Sequence, residues 1–290
     1  MKLPPVDYEA PKTVSEAVEL LAEYQDEASV LAGGQSLIPL LALRLAHPAV
    51  LIDINGIDEL SGVSASDGRV AIGAMTREYV AEESGTVADG VPLLAAALPF
   101  IGHEAIRNRG TVGGSLAHAD PAAELPAVAR ALDAEFVVRG PSGERVVPAA
   151  EWFEGYLTTS RGPDELLTEV RFPAAAPGTG VSFQEVARRH GDFAIVGLAA
   201  SVTLSEGVIS DARLAFAGMS DVPVRAAGAE DLLNGERPSA GLFDEAARRA
   251  TESIDPPADL HGSADYRKKV AAALVRRGLQ AAVDNADERQ

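Results

Sequence analysis

Two short runs in this chain pair adjacent glycines with a hydroxyl residue between apolar flanks: Leu31-Ala-Gly-Gly-Gln-Ser-Leu37 and Gly110-Thr-Val-Gly-Gly-Ser-Leu116. Adjacent glycines reach φ > 0 without strain and carry no side chain. Successive backbone N–H groups can therefore converge on an anion at close range. One such loop suits a phosphate. Two suit a diphosphate held from both sides, as in a dinucleotide cofactor. Neither run continues as Gly-Lys-Ser/Thr, and neither has G-x-G-x-x-G spacing, which disfavours a P-loop NTPase and a Rossmann dehydrogenase. The bland alternative is a pair of tight turns, glycine being a common turn residue. Arg107 and Arg109, just before the second run, supply positive charge for an anion.

A second constellation follows at once, His118-Ala-Asp120-Pro-Ala-Ala-Glu124. An imidazole and two carboxylates this close can ligate a metal, but a facial triad needs a second histidine, for which His47, His103, His190 and His261 are unmotivated candidates. The preferred reading is a cap, with Asp120 opening a helix whose first position is Pro121. In a third reading, Asp120 or Glu124 accepts hydrogen bonds from a cofactor. Trp152, Phe153, Tyr156 and Phe193 can stack on a planar cofactor, although core packing is the commoner fate of aromatics. Phe193 stands in Gly191-Asp-Phe-Ala, placed to lean from the second half of the chain over the first.

These residues must be positioned by a folded scaffold, and the chain has the means to build one. Its 290 residues suffice for two domains, and 47% hydrophobic with 23% charged residues is ordinary globular usage. The net charge of −18 argues against nucleic acid or an anionic membrane as partner. The best membrane candidate, Val91 to Ile101, is broken by Pro92 and Pro99, so no transmembrane segment is expected. The opening Met1-Lys-Leu-Pro-Pro does not read as a signal peptide. With no cysteine, the chain can form no disulfide and no cysteine-ligated cluster. A cytoplasmic protein is expected.

Helical periodicity from Pro11 to Tyr24, opened by Thr13 or Ser15, buries Val14, Ala17, Val18 and Leu21. Strands are expected at Ala28–Ala32, Val50–Ile54 and Arg69–Ala74, with Thr76 capping a helix to Glu82 and a further helix at Leu93–Leu98. Gln35 to Leu45 reads as an apolar helix or irregular segment crossed by Pro39. From Ala134 short strands take over, at Glu135–Arg139, Glu144–Pro148 and Leu166–Phe172. Residues 173–180, rich in proline and glycine, read as a linker. Beyond it come strands at Val181–Arg189, Ile195–Leu204 and Ile209–Gly218, then helices at Ala227–Leu233, Leu242–Ser253 and Ala264–Asp284, an α+β domain.

Ala32-Gly-Gly-Gln-Ser36, the run from Ile106 to Pro121, Gly191-Asp-Phe-Ala and Gly262-Ser-Ala-Asp-Tyr-Arg-Lys-Lys together resemble the FAD-binding medium subunit of molybdenum hydroxylases. The likeness includes the medium subunit of aerobic carbon monoxide dehydrogenase, extends to the FAD domain of xanthine dehydrogenases, and covers nearly the whole chain. It implies an α+β fold: a two-subdomain FAD-binding domain of the vanillyl-alcohol-oxidase (PCMH-type) fold over 1–176, divided near residue 55, then a small α+β C-terminal domain over 177–290.

By the same resemblance FAD binds non-covalently. Leu31, Ala32, Gly33, Gly34, Gln35, Ser36 and Leu37, with Thr111, Gly113, Gly114 and Ser115, would wrap its diphosphate and ribityl chain. Ile101 and Leu167 would pack on it, Asp120 and Glu124 would face its polar groups, and Phe193 would shield the flavin. No residue of this chain is implied to be catalytic. Two positions depart from the pattern. Ser115 stands where Asn or Asp is common, and Phe183-Gln184-Glu185 lacks the lysine of xanthine dehydrogenase-like members, which counts against NAD as acceptor. The implied role is an oxidoreductase subunit, passing electrons from an iron–sulfur small subunit through FAD to an external acceptor. A molybdopterin large subunit completes the heterotrimer, which dimerises. A stand-alone FAD oxidase or dehydrogenase, and a non-enzymatic nucleotide-binding module, are the competing readings.

Overall fold

The computed structural model describes residues 2–252 and 254–287, of which 287 by backbone only. The chain begins with a small parallel sheet in which the strand Val50–Asp53 lies between Asp7–Glu9 and Ala28–Leu31. The helix Val14–Tyr24 covers it, capped by Thr13, whose hydroxyl accepts from the Glu16 N–H at 3.2 Å. Val14, Ala17, Val18 and Leu21 form its buried face, as the 3.6-residue period predicts. The first glycine run leaves the end of Ala28–Leu31 and enters the short helix Leu37–Leu43.

A five-stranded antiparallel sheet follows, ordered Val63–Ser66, Arg69–Gly73, Leu166–Pro173, Glu135–Gly140, Gly143–Pro148. The last strand to arrive takes the centre, and the residues between Arg69–Gly73 and Glu135–Gly140 fold back over one face. They do so as the short helices Glu78–Glu82, Gly85–Gly90, Pro92–Ala97, Glu104–Arg107, Val112–His118 and Glu124–Ala131. Trp152 anchors this core: it is fully buried, stacks on Phe136 at 4.4 Å, and its indole N–H donates to the Leu116 carbonyl at 3.0 Å. Of the sequence-nominated aromatics, Trp152 and Phe153, edge-on to Phe136, are therefore core residues.

The C-terminal part is an antiparallel meander, Thr179–Val186, Val196–Ser205, Val208–Ala217 and Val224–Arg225, followed by helices Ala227–Leu233, Ala240–Glu252 and Ala264–Asp287. The sequence-based end of the middle helix, Ser253, lies outside the described residues. The sheet is covered on both faces. One face packs on its own helices through Leu198, Leu214, Phe216 and Leu274. The other carries Val181, Phe183, Ala199, Ala215 and Ala217 into the same apolar core as Leu93, Leu94 and Val128 of the preceding domain.

Three local expectations are corrected. Thr76 does not cap the Glu78–Glu82 helix; its hydroxyl bonds both backbone groups of Gly62 at 2.9 Å, and Arg77 takes the N-cap position without a side-chain bond. Pro121 does not open a helix. The helix starts at Glu124, and Asp120 instead closes a tight turn by accepting from the Ala122 N–H at 2.9 Å. The linker is shorter than residues 173–180, because Pro173 ends one strand and Thr179 begins the next.

Candidate functional site: a cleft between two glycine loops

The two glycine runs meet in space, by different backbone means. Gly34 alone among the four glycines takes positive φ, +74°. Gly33 needs to be glycine because an added Cβ would run into the Arg109 carbonyl and lie 2.9 Å from the Gly110 Cα. The second run is not a turn. Gly113 and Gly114 form the first turn of helix Val112–His118, capped by Thr111, whose hydroxyl accepts from the Gly114 N–H at 3.1 Å. Gly113 lies flat on Ala74, its N–H donating to that carbonyl at 2.9 Å.

A polar clamp behind the loops fixes their spacing. Asn55 donates its side-chain amide to the carbonyls of Leu31 and Ala32 at 3.3 and 2.8 Å, and its Oδ1 accepts from the Arg77 guanidinium at 2.6 Å. The other Arg77 nitrogen donates to the Arg109 carbonyl. Asp53, held below its ordinary pKa range by hydrogen bonds from Tyr8 and Asn55 acting against the penalty of burial, orients Asn55. Nothing in the sequence pattern singled out Asn55 or Arg77; their role depends on long-range pairing.

Between the loops opens a cleft of about 670 Å³. It is lined by Ala32, Gly33, Gly34, Gln35, Ser36 and Leu37 from the first run, and by Thr111, Gly113, Gly114 and Ser115 from the second. Ile101, Asp120, Glu124, Leu167 and Phe193 complete the sequence-nominated set along its walls. Leu31 alone does not face the space; its backbone carbonyl is held from behind, by Asn55 and by the Ile54 N–H at 3.2 Å. The N–H groups of Gly33, Gly34, Gln35 and Ser36 find no acceptor among the described residues. Ile38 and Leu40 already bond back to the Gly34 and Ser36 carbonyls, so these amides belong to the opening of the helix Leu37–Leu43, and their free donors suit an anion.

The lining also includes Tyr156, which the sequence offered as a stacking aromatic, and Leu157, which it did not single out. Tyr156 and Leu157 sit at the tip of the hairpin Phe153–Gly155/Thr158–Thr159, over the mouth of the cleft, with Tyr156 63% exposed. Arg107 and Arg109 do not line the cleft. Arg107 is spent on Glu82 at 2.7 Å and on the Ile101 carbonyl at 3.0 Å, so its charge is directed elsewhere. The cleft's cation is Arg161, braced by its own bonds to the Gly162 and Glu165 carbonyls. Glu78 also lines the cleft.

Burial dominates the acid groups. Glu78 is pushed up to about 8, first by burial and then by the nearby Glu124, with Arg107 opposing. Glu124 is pushed up to about 7, chiefly by burial. Glu185, on the C-terminal sheet where the expected lysine is missing, is pushed up to about 8 by burial and by Glu124. His118 is lowered by burial against the pull of Asp120. Among the described residues no three His, Asp or Glu side chains converge to hold a metal ion, and no helix is long and apolar enough to cross a membrane.

A cleft floored by free amides, between an antiparallel sheet domain and a second α+β domain, is built to hold a dinucleotide-sized anion. The chain belongs to the family of FAD-binding domains in molybdopterin dehydrogenases, whose model matches residues 4–175, and residues 181–282 match the CO dehydrogenase flavoprotein C-terminal domain. It is 43% identical to the 6-hydroxypseudooxynicotine dehydrogenase complex subunit alpha of Paenarthrobacter nicotinovorans, over 99% of this chain and 97% of that one. It is 40% identical to the carbon monoxide dehydrogenase medium chain of Hydrogenophaga pseudoflava, over 96% and 97%. A solved carbon monoxide dehydrogenase from the same organism superposes with a TM-score of 0.96 at 41% identity, covering 98% of this chain and 99% of that one. Quinoline 2-oxidoreductase from Pseudomonas putida 86 superposes at 0.94 with 38% identity, covering 99% of each chain.

Proposed function

We propose that the cleft between the glycine loops holds FAD non-covalently and that the chain works as the electron-transfer subunit of a heterotrimeric molybdenum hydroxylase. An iron–sulfur small subunit delivers electrons, a molybdopterin large subunit carries the substrate chemistry, and the heterotrimer pairs into a dimer. The cytoplasm is its compartment. Residues 1–176 act as the cofactor-holding unit and 177–290 as its cover.

The observation that carries this reading is the row of partnerless amides at Gly33 to Ser36, facing Thr111 and Gly114 across the cleft. The residues present fit FAD: amides and hydroxyls for a diphosphate, an apolar wall of Leu37, Ile101 and Leu167 for a flat ring, and a volume of cofactor size. When bound, FAD supplies the exchange between one-electron and two-electron transfer. The first-loop amides bind the diphosphate, and Thr111 and Ser115 add hydroxyl donors. Leu31 positions the first loop rather than touching the cofactor. Asp120 and Glu124 face its polar groups. Phe193, 56% exposed, and Tyr156 close the mouth against water. Gly191, at φ +83° and seated against the Gly102 carbonyl, sets the turn that brings Phe193 across from the second domain.

Two measurements test this. Acid precipitation of the purified chain should release yellow flavin into the supernatant, and colour retained in the pellet would refute non-covalent binding. In an anaerobic experiment following flavin absorbance, the lone chain should stay oxidised with carbon monoxide, purines or aldehydes. It should bleach only after both partner subunits are added. Substrate-driven bleaching of the lone chain would replace this reading with a self-sufficient oxidase or dehydrogenase.

A further inference from the structure

The cleft contains an apparent contradiction. A diphosphate is anionic, yet Glu78, Asp120 and Glu124 all line the space offered to it, against one guanidinium, that of Arg161, among the described residues. Glu78 and Glu124 are 3% and 4% exposed. Glu78 Oε2 is shielded from solvent and has no hydrogen-bond partner among the described residues, and it lies against Gly110 at the root of the second loop. A buried, partnerless carboxylate beside a phosphate group would be costly twice, by desolvation and by repulsion.

Resting on the placement of FAD in this cleft, we propose that Glu78, with Glu124 beside it, serves as an uncharged carboxylic acid that donates a hydrogen bond to an acceptor atom of FAD, so that FAD and a proton bind together. The protonated acid is a donor, carried on a side chain that lines the cleft. In molecules where the acid is ionised beforehand, the proton comes from solvent, and no electron moves.

The surroundings favour the neutral form. Facing Glu78 are Glu124 from the helix Glu124–Ala131 and Arg107 from Glu104–Arg107, the latter already paired with Glu82. Facing Glu124 are Asp120 and, from the C-terminal sheet, Glu185, whose Oε2 is also buried without a partner. His118, Arg161 and the Tyr156 phenol are the other ionisable groups among the described lining residues. The one cation directed at Glu78 is committed elsewhere, while the acids crowd one another. The raised pKa values of Glu78, Glu124 and Glu185 agree with this arrangement.

The test uses the full chain stripped of FAD, with FAD added back between about pH 6 and pH 9, spanning the range in which a raised carboxyl titrates. The dissociation constant, followed by quenching of flavin fluorescence, should hold steady at the acidic end. It should then weaken by up to about tenfold per pH unit as one linked proton is lost. Calorimetry in two buffers of different ionisation enthalpy should show proton uptake on binding near the alkaline end. Glu78→Gln, a permanent neutral donor, should bind FAD at the alkaline end as tightly as the parent chain does at the acidic end, with a flattened profile. Tight FAD binding with no proton uptake and a flat profile in the parent chain would overturn this proposal and leave the cofactor placement standing. Loss of FAD by Glu78→Gln at every pH would also overturn it. Failure of the parent chain to bind FAD at any pH would overturn both.

Discussion

Asn55 and Arg77 meet at 2.6 Å behind the cleft, and through that one contact the two glycine loops are joined. Asn55 grips the carbonyls of Leu31 and Ala32, while Arg77 grips that of Arg109. Neither side chain lines the cleft, so each acts by setting the distance across it. Arg77→Lys replaces a planar forked donor with a compact ammonium that does not reproduce the two-pronged geometry. It should weaken FAD binding by about tenfold, equivalent to about 1.4 kcal/mol. Fluorescence titration checks the affinity, and circular dichroism should show the fold retained.

Gly33 and Gly34 are glycines for different reasons, and substitutions should separate them. Gly33→Ala drives a methyl into the Arg109 carbonyl and pushes the loops apart. Gly34→Ala keeps the spacing but strains a residue at φ +74°, at a cost on the order of 1 kcal/mol. FAD affinity should fall more in the Gly33 variant, by tenfold or more. Equal affinities would show that loop separation does not control the site.

The buried acids predict the pH dependence of the FAD-free chain. Glu78 and Glu124 bind protons more tightly folded than unfolded, so folding takes up protons between the ordinary glutamate range and about 8 and 7 respectively. Stability conferred by these groups is full below the unfolded pKa and is lost as pH rises through the folded ones. The slope approaches about 1.4 kcal/mol per pH unit for each additional proton held by the folded state. Urea titrations from about pH 5 to pH 8 should show the midpoint falling, and Glu78→Gln should reduce the fall.

Trp152→Ala removes a buried ring stacked on Phe136 and the indole donor to the Leu116 carbonyl. The expected loss of stability is about 3–5 kcal/mol, as for large core aromatics. Because Leu116 belongs to the helix that begins at the second glycine loop, FAD affinity should fall as well. Phe193→Ala should do the opposite: FAD affinity nearly unchanged, but faster reaction of the reduced protein with oxygen, measured by stopped-flow absorbance.

Local rules made much of this molecule legible. The Val14–Tyr24 helix and its buried stripe follow from period and cap, and the C-terminal order of strands then helices follows from alternation and breakers. The cleft-lining loops were legible because glycine pairs are rare outside special geometry. What escaped depends on contacts distant in sequence. Thr76 looks like a cap until the strand carrying Gly62 arrives beside it. Arg107 looks like an anion ligand until Glu82 takes it, and Asn55 looks like any loop asparagine. Glu78 is not singled out in the sequence, and its burial depends on the second glycine loop folding against it.

The C-terminal sheet shares one continuous apolar core with the domain before it: Val181, Phe183 and Ala199 pack among Leu94 and Val128, and Phe100 meets Phe183 at 5.2 Å. Such a seam gives the halves no independent melting. Calorimetry should record a single cooperative transition rather than two, and a fragment truncated near residue 176 should aggregate through its bared helices. Two domains in outline, the chain is expected to behave as one unit in its thermodynamics.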